Sequence, residues 1–224
     1  MSKTKKTEKT FDHTGSFGTY VPYPSLFSYW FNNILFPLKM LIPQPIVKQI
    51  PGLLTNEDIR IGLVLSHITG KLLDIGCGNN RLVKTYLKMG GEGTGVDVYN
   101  WDESVLVVDS TSSLPFESGT FDSITFVASL NHIPNRLEVL EEAHRLLGDR
   151  GRIILTNLNP FISQIWHKWA FWDKDQHERG MKEGEVWGFN EKDLITLLNQ
   201  AGFKIIKKQK FSWRFNQLYL CEKI

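Results

Sequence analysis

Hydrophobic positions along this chain keep two rhythms. Short runs with strand length and dense apolar content occupy residues 71–75, 94–98, 105–108, 121–127 and 152–156. Between them, apolar residues recur at helical spacing and stop at glycine. Ile59 and Leu63 lead to Gly70, and Leu82, Val83, Tyr86 and Leu87 lead to Gly90-Gly91. Leu137, Leu140, Ala143 and Leu147 lead to Gly148, whereas Leu194, Leu197 and Leu198 lead to Gly202. Thr55 or Asn56 can cap the first of these helices, and Asn190 to Asp193 resembles a capping box for the last. Residues 203–206 and 214–221 read as two closing strands. Strand and helix alternate, which predicts an α/β fold with a mostly parallel, doubly wound sheet covered on both faces. Such sheets bind ligands at the carboxyl ends of their strands.

The chain before residue 55 keeps neither rhythm. Residues 26–47 are rich in Leu, Ile, Phe and Trp, but Pro37, Pro43, Pro45 and Lys39 interrupt them. Those breaks argue against a membrane-spanning helix and leave two readings, a cap packed on the core or a segment resting on a membrane surface. Lys3, Lys5, Lys6 and Lys9 lie in a polar start that reads as a solvated tail, and no apolar run follows to make a secretory signal. The organisation is therefore a tail and hydrophobic cap over 1–54 and one domain over 55–224, with an insertion at 161–189. A net charge of +2 over 224 residues does not argue for nucleic acid, and two cysteines do not make a disulfide framework. A reduced cytoplasmic protein is expected, with contact to a membrane surface as the variant.

The stretch Leu72-Leu73-Asp74-Ile75-Gly76-Cys77-Gly78-Asn79-Asn80 carries the most chemistry. It reads as a buried strand turning at Gly76 and Gly78 into a helix whose first N–H groups face a ligand. A dinucleotide would bring a pyrophosphate to this turn, where Asp74 repels it, and would want glycine where Arg81 stands. An acid beside the turn suits a ligand bearing an amine and a sulfonium, S-adenosylmethionine. Asp97 follows Gly76 by about 21 positions, near the spacing of an acid that accepts the ribose hydroxyls.

These residues resemble motif I of the class I methyltransferases. Asp109 to Phe116 looks like the family's D-x-x-x-LPF segment, and Phe121 to Pro134 resembles its fourth-strand motif. Arg150 to Asn157 is similar to its turn and fifth strand. Together, from about residue 55 onward, the chain is similar to the methyltransferase type 11 group. The resemblance implies a Rossmann-like seven-stranded sheet whose last strand, 214–221, is reversed. It implies methyl transfer from S-adenosylmethionine, releasing S-adenosylhomocysteine. The implied cofactor-binding set is Asp74, Gly76, Cys77, Gly78, Asp97, Val98, Asp109, Ser110 and Ser129, with Asp109 accepting from the adenine amino group and the Ser110 N–H serving a ring nitrogen. The family often has glycine where this chain has Asn80, so a side chain there is expected to narrow the approach to the cofactor.

The acceptor side is less specific. His132 is the candidate general base, since imidazole titrates near neutrality; the alternative is a histidine that only shapes the pocket. Asn131 is a candidate for the acceptor. In the insertion, Trp166, Trp169 and Trp172 are spaced by three, so they either pack or form a lid, and Trp166, Trp169 and His177 join the candidate substrate set. His177-Glu178 lacks a second histidine at metal spacing, so no metal is expected. Asn159-Pro160-Phe161 lacks the second proline of an N-P-P-Y box and follows the wrong strand. The expected function is methylation of a small molecule, with a hydrophobic, lipid-linked or glycan-linked acceptor favoured by the aromatic cap and insertion. An RNA or protein methyltransferase, or a non-catalytic cofactor-binding protein, is the alternative. Oligomeric state has no sequence signal.

Overall fold

A computed structural model describes residues 26–161, 163–164 and 183–224. The proline breaks cut the cap into three short helices, α1 (Leu26–Ile34), α2 (Phe36–Met40) and α3 (Gln44–Val47). Helix α4 (Asn56–Leu65) opens on a reciprocal capping box, in which Thr55 accepts from the Asp58 N–H and the Asp58 carboxylate accepts from the Thr55 N–H. Strand β1 (Lys71–Ile75) follows, then α5 (Arg81–Lys88), β2 (Glu92–Asp97), the two-residue β3 (Leu106–Val107) and β4 (Phe121–Val127). A 3-10 turn at Leu130–His132 leads into α6 (Arg136–Leu146), β5 (Leu147–Leu158), α7 (Glu191–Gln200), β6 (Phe203–Phe211) and β7 (Asn216–Lys223).

The seven strands lie in the order β3-β2-β1-β4-β5-β7-β6. All pairs from β3 to β5 are parallel, and β7 runs antiparallel between β5 and β6. Strand order reverses between β1 and β4, and the crevice of a doubly wound sheet opens at such a reversal. The period of two along the strands sorts their side chains. Leu73, Ile75, Ile124 and Phe126 join the core under α6 and α7, whereas Leu72 joins the second core under α4 and α5. Asp74 and Thr125 therefore point to the α4–α5 side, opposite each other in register across the reversal.

β1 and β4 keep their expected limits, β2, β3 and β7 shift by one or two residues at each end, and β5 and β6 depart furthest. Strand β5 begins at Leu147 and not at residue 152, because Leu147 pairs with Phe121 across an irregularity in the β4–β5 register. Leu147, expected at the end of a helix, and Gly148, expected as its stop, are strand, as are the residues that follow to Gly151. Strand β6 continues to Phe211, well past Ile206, because β7 pairs with it along its length. Among the described residues, no helix is long and apolar enough to cross a membrane.

Candidate active site

The turn after β1 is fixed by its backbone before any side chain acts. The Gly76 and Cys77 N–H groups both donate to the Val96 carbonyl, at 2.9 and 3.1 Å. Gly76 has φ +71°, and a Cβ there would stand 2.6 Å from the Ser129 Cβ. Ser129 holds that close approach by donating its hydroxyl to the Ile75 carbonyl at 2.7 Å. At Gly78, φ is +52° and an added Cβ would meet open space, the space of the cleft. The first glycine thus allows β1 to approach the end of β4, and the second keeps the cleft floor open.

Asp97 closes the turn from the side of β2. One carboxylate oxygen accepts from the Gly78 N–H at 3.0 Å and the other from the Tyr99 N–H at 3.1 Å. Asp74 is buried, and its Oδ1 accepts the Thr125 hydroxyl at 2.6 Å. Burial pushes its pKa up to about 7; the Thr125 bond opposes that rise and the neighbouring Asp97 charge adds to it. Among the described residues no cation is bonded to Asp74. Burial, with Asp74 and Asp97 beside it, also pushes the Cys77 thiol far above its ordinary value, so Cys77 contributes wall and no thiolate.

Asn80 does not narrow the cleft as expected. It takes a left-handed conformation at the N-terminus of α5, with φ 58°, a region asparagine tolerates. Its side chain turns away and donates to the Ser104 carbonyl and hydroxyl at 2.8 and 3.1 Å. Gly95 on β2 makes room, since a Cβ there would lie 2.1 Å from the Asn80 Oδ1. Arg81, next in sequence, pairs with Glu57 at 2.7 Å and with Asp58, joining α5 to the start of α4.

The cleft over these groups encloses about 1260 Å³. Asp74, Gly76, Cys77, Gly78, Asp97, Val98, Asp109, Ser110, Ser129 and His132 all line it. Tyr99 and Trp101 stand edge to face at its rim, 5.7 Å apart. The segment from Asp109 to Phe116 is held from behind by α6. Glu142 accepts from the Leu114 N–H at 2.7 Å, and Arg145 donates to the Leu114 and Phe116 carbonyls. Arg145 also holds the Glu142 carboxyl below its ordinary pKa.

At the end of β4, His132 places its Nδ1 3.3 Å from a carboxylate oxygen of Glu185. The Glu185 side chain is only 2% exposed, and the histidine 31%. Arg136 holds this arrangement, donating to the Gly184 carbonyl at 2.6 Å and lying over the Phe189 ring at 5.4 Å. Asn157 adds a reciprocal pair with the Phe189 backbone at 2.8 and 3.0 Å. Asn131 does not line the cleft. Its amide donates to the Val186 carbonyl at 3.4 Å, so it tethers the segment that carries Glu185. Trp166, Trp169 and His177 fall outside the described residues. Sequence reasoning passed over Glu185 as a partner, because 53 positions separate it from His132 and no local spacing joins them.

Fold and crevice together define a doubly wound α/β domain with an open cleft at the turn after its first strand. A family model described as a methyltransferase domain matches residues 51–208, and the chain belongs to that family. An uncharacterized methyltransferase from Synechocystis is 28% identical over 154 residues, covering 63% of this chain and 70% of that protein. A ubiquinone biosynthesis O-methyltransferase from Xanthomonas oryzae is 29% identical over 103 residues, covering 40% of this chain and 43% of that protein. The chain therefore matches less than half the length of the Xanthomonas enzyme. A solved structure from Burkholderia thailandensis shares the fold with TM-score 0.52 at 18% identity, covering 73% of this chain and 76% of that one. It is a 1,6-didemethyltoxoflavin-N1-methyltransferase with bound 1,6-didemethyltoxoflavin and S-adenosylhomocysteine.

The chain is thus a member of a methyltransferase family and shares the fold of solved S-adenosylmethionine-dependent methyltransferases. Its residues fit that donor. A buried carboxylate with no cationic partner is a site short of positive charge, which an ammonium and a sulfonium supply.

Proposed function

We propose that this methyltransferase acts on a small molecule and that His132, held by Glu185, takes the proton lost by the acceptor. Asp74 would face the amino-acid end of the donor, Asp97 its ribose, and Asp109 with Ser110 its adenine. S-adenosylmethionine supplies an electrophilic methyl group when bound and leaves as S-adenosylhomocysteine. The observation that carries the reading is the pairing of His132 with a buried carboxylate in the cleft that also contains Asp74 and Asp97. The Glu185 carboxylate beside Nδ1 would stabilise the imidazolium formed when His132 takes the acceptor's proton. Alignment of donor and acceptor in one cleft supplies the rest of the rate.

A hydrophobic acceptor, including one linked to a lipid or glycan, is supported by the cap. Trp30, Ile34, Leu38 and Leu41 on α1, α2 and the turn after them are exposed, an apolar surface a bilayer or lipid chain can cover. The test is incubation of the protein with deuteromethyl-labelled S-adenosylmethionine and the small-molecule fraction of a cell extract, read by mass spectrometry. A metabolite gaining the label, lost with His132→Asn, is expected. Label confined to RNA or protein when whole extract is supplied would refute the reading.

A further inference from the structure

Arg60 lines the same cleft from α4. One terminal nitrogen, Nη2, donates to the Asn216 side-chain oxygen at 3.1 Å, and Nε is buried with no hydrogen-bond partner. Among the described residues no carboxylate lies within ion-pair distance of it. Glu57, whose charge reaches it through space, is committed to Arg81 at 2.7 Å and to Lys48 at 3.9 Å. Arg81, the other arginine of the cleft, has Glu57 and Asp58 and needs no further anion. Burial draws the Arg60 pKa down to about 10, which still leaves it charged at neutral pH.

A half-buried arginine whose Nε is buried without a partner, and whose one hydrogen-bond partner among the described residues is a neutral amide, is incompletely neutralised, and a ligand anion would complete it. Its place identifies which ligand. Asn216 pairs with Leu158 at the carboxyl end of β5, so Arg60 is tied to the β5–β7 side of the cleft. Asp97 ends β2, and Asp109 follows β3, on the far side of β1. Arg60 thus lies beyond the strand reversal from the donor's carboxylates.

We infer that Arg60 binds an anionic group, a carboxylate or a phosphate, on the methyl acceptor. The inference rests on the small-molecule reading of the cleft and narrows it. The planar fork of arginine suits two-point binding of either anion, and lysine keeps the charge but loses the fork.

The test separates the extract's small molecules by strong anion exchange and offers each fraction with deuteromethyl-labelled S-adenosylmethionine. Label in the retained fraction is expected. Arg60→Met should raise KM for that fraction by about 30-fold or more while changing kcat less, with Arg60→Lys between the two. Affinity for S-adenosylhomocysteine should change less than about threefold. Thermal unfolding checks that each variant folds, and Arg60→Gln, which keeps a donor for Asn216, replaces Arg60→Met if it does not. Label in the unretained fraction, with Arg60→Met as active as the parent, would overturn the inference and leave the small-molecule reading standing. Weakened S-adenosylhomocysteine binding in the variant, with unchanged binding of 5′-methylthioadenosine, would overturn it too, by assigning the donor's own carboxylate to Arg60. Label in neither fraction would remove both readings.

Discussion

In the proposed site Asp74 would make donor affinity a function of pH, and the sign follows from its burial. Its pKa is 3.8 in an ordinary setting and about 7 in the folded protein without ligand. The folded state therefore binds a proton that the unfolded chain has released. This contribution to stability is fully present below about pH 3.8 and is lost as pH rises through about 7. The whole rise is worth about 4 kcal/mol, of which roughly 1.4 kcal/mol disappears between pH 6 and pH 8. A cationic ligand reverses the preference, because it binds the ionised carboxylate. Affinity for S-adenosylmethionine should be about tenfold weaker at pH 6 than at pH 8, while the free protein is more stable at pH 6. Isothermal titration at pH 6, 7 and 8, with urea unfolding under the same conditions, measures both. Asp74→Asn keeps an acceptor for Thr125 and should abolish both slopes while weakening binding throughout. An affinity that is flat or stronger at pH 6, or the same slope in Asp74→Asn, would refute the reasoning.

The two glycines of the turn should respond differently to alanine. Gly76→Ala places a Cβ 2.6 Å from the Ser129 Cβ at φ +71°, and urea unfolding should show a loss of about 2–4 kcal/mol. Gly78→Ala has open space and φ +52°, so stability should fall by only about 1 kcal/mol while titration shows a large loss of donor affinity. Asp97→Ala removes the acceptor for the Gly78 and Tyr99 N–H groups; donor affinity should drop by about 100-fold, and a drop under threefold would exclude the ribose role. Glu185→Gln should cut kcat by about 10- to 100-fold and leave donor affinity unchanged, as a residue that positions His132 would. Equal losses in donor binding would instead assign Glu185 to the cleft wall.

The parts of this molecule legible in its sequence are those whose causes are local. β4 occupies residues 121–127 as its apolar run predicts, and Asn190 caps α7 with its side chain accepting from the Asp193 N–H. The turn was legible because Asp74, Gly76 and Gly78 lie within five residues, and Asp97 could be counted from them. Where pairing partners set the outcome, the pattern misleads. β6 runs on through Lys207, Lys208 and Lys210, past the four residues 203–206 that the pattern marks as strand, because this sheet edge is zipped to β7. Asn80 was misread for the same reason: nothing in the local sequence says that Gly95 leaves room for its amide on β2. Glu185 and Arg60 reach the cleft through partners 53 and 156 positions away, a distance over which no spacing rule operates.

The sheet topology explains why the cleft needs both signs of charge and keeps them apart. The donor carries its methyl group on a positive centre, so acids must stand near it, and Asp74, Asp97 and Asp109 come from β1, from β2 and from just beyond β3. An acceptor with an anionic group would be repelled from that side and drawn to Arg60, which α4 holds against the end of β5 and the start of β7. Between the two lies the reversal of strand order, bridged by the Thr125 hydroxyl of β4 and the Asp74 carboxylate of β1. His132 follows β4, on the boundary itself, where the acceptor's nucleophile must meet the methyl group. In the proposed site Asp74, Asp97 and Asp109 on the donor side, Arg60 on the opposite side and His132 between them would orient both reactants. Removing Arg60 should therefore impair acceptor binding without touching the pH dependence that Asp74 gives to donor binding, and the two effects should add independently in the double variant.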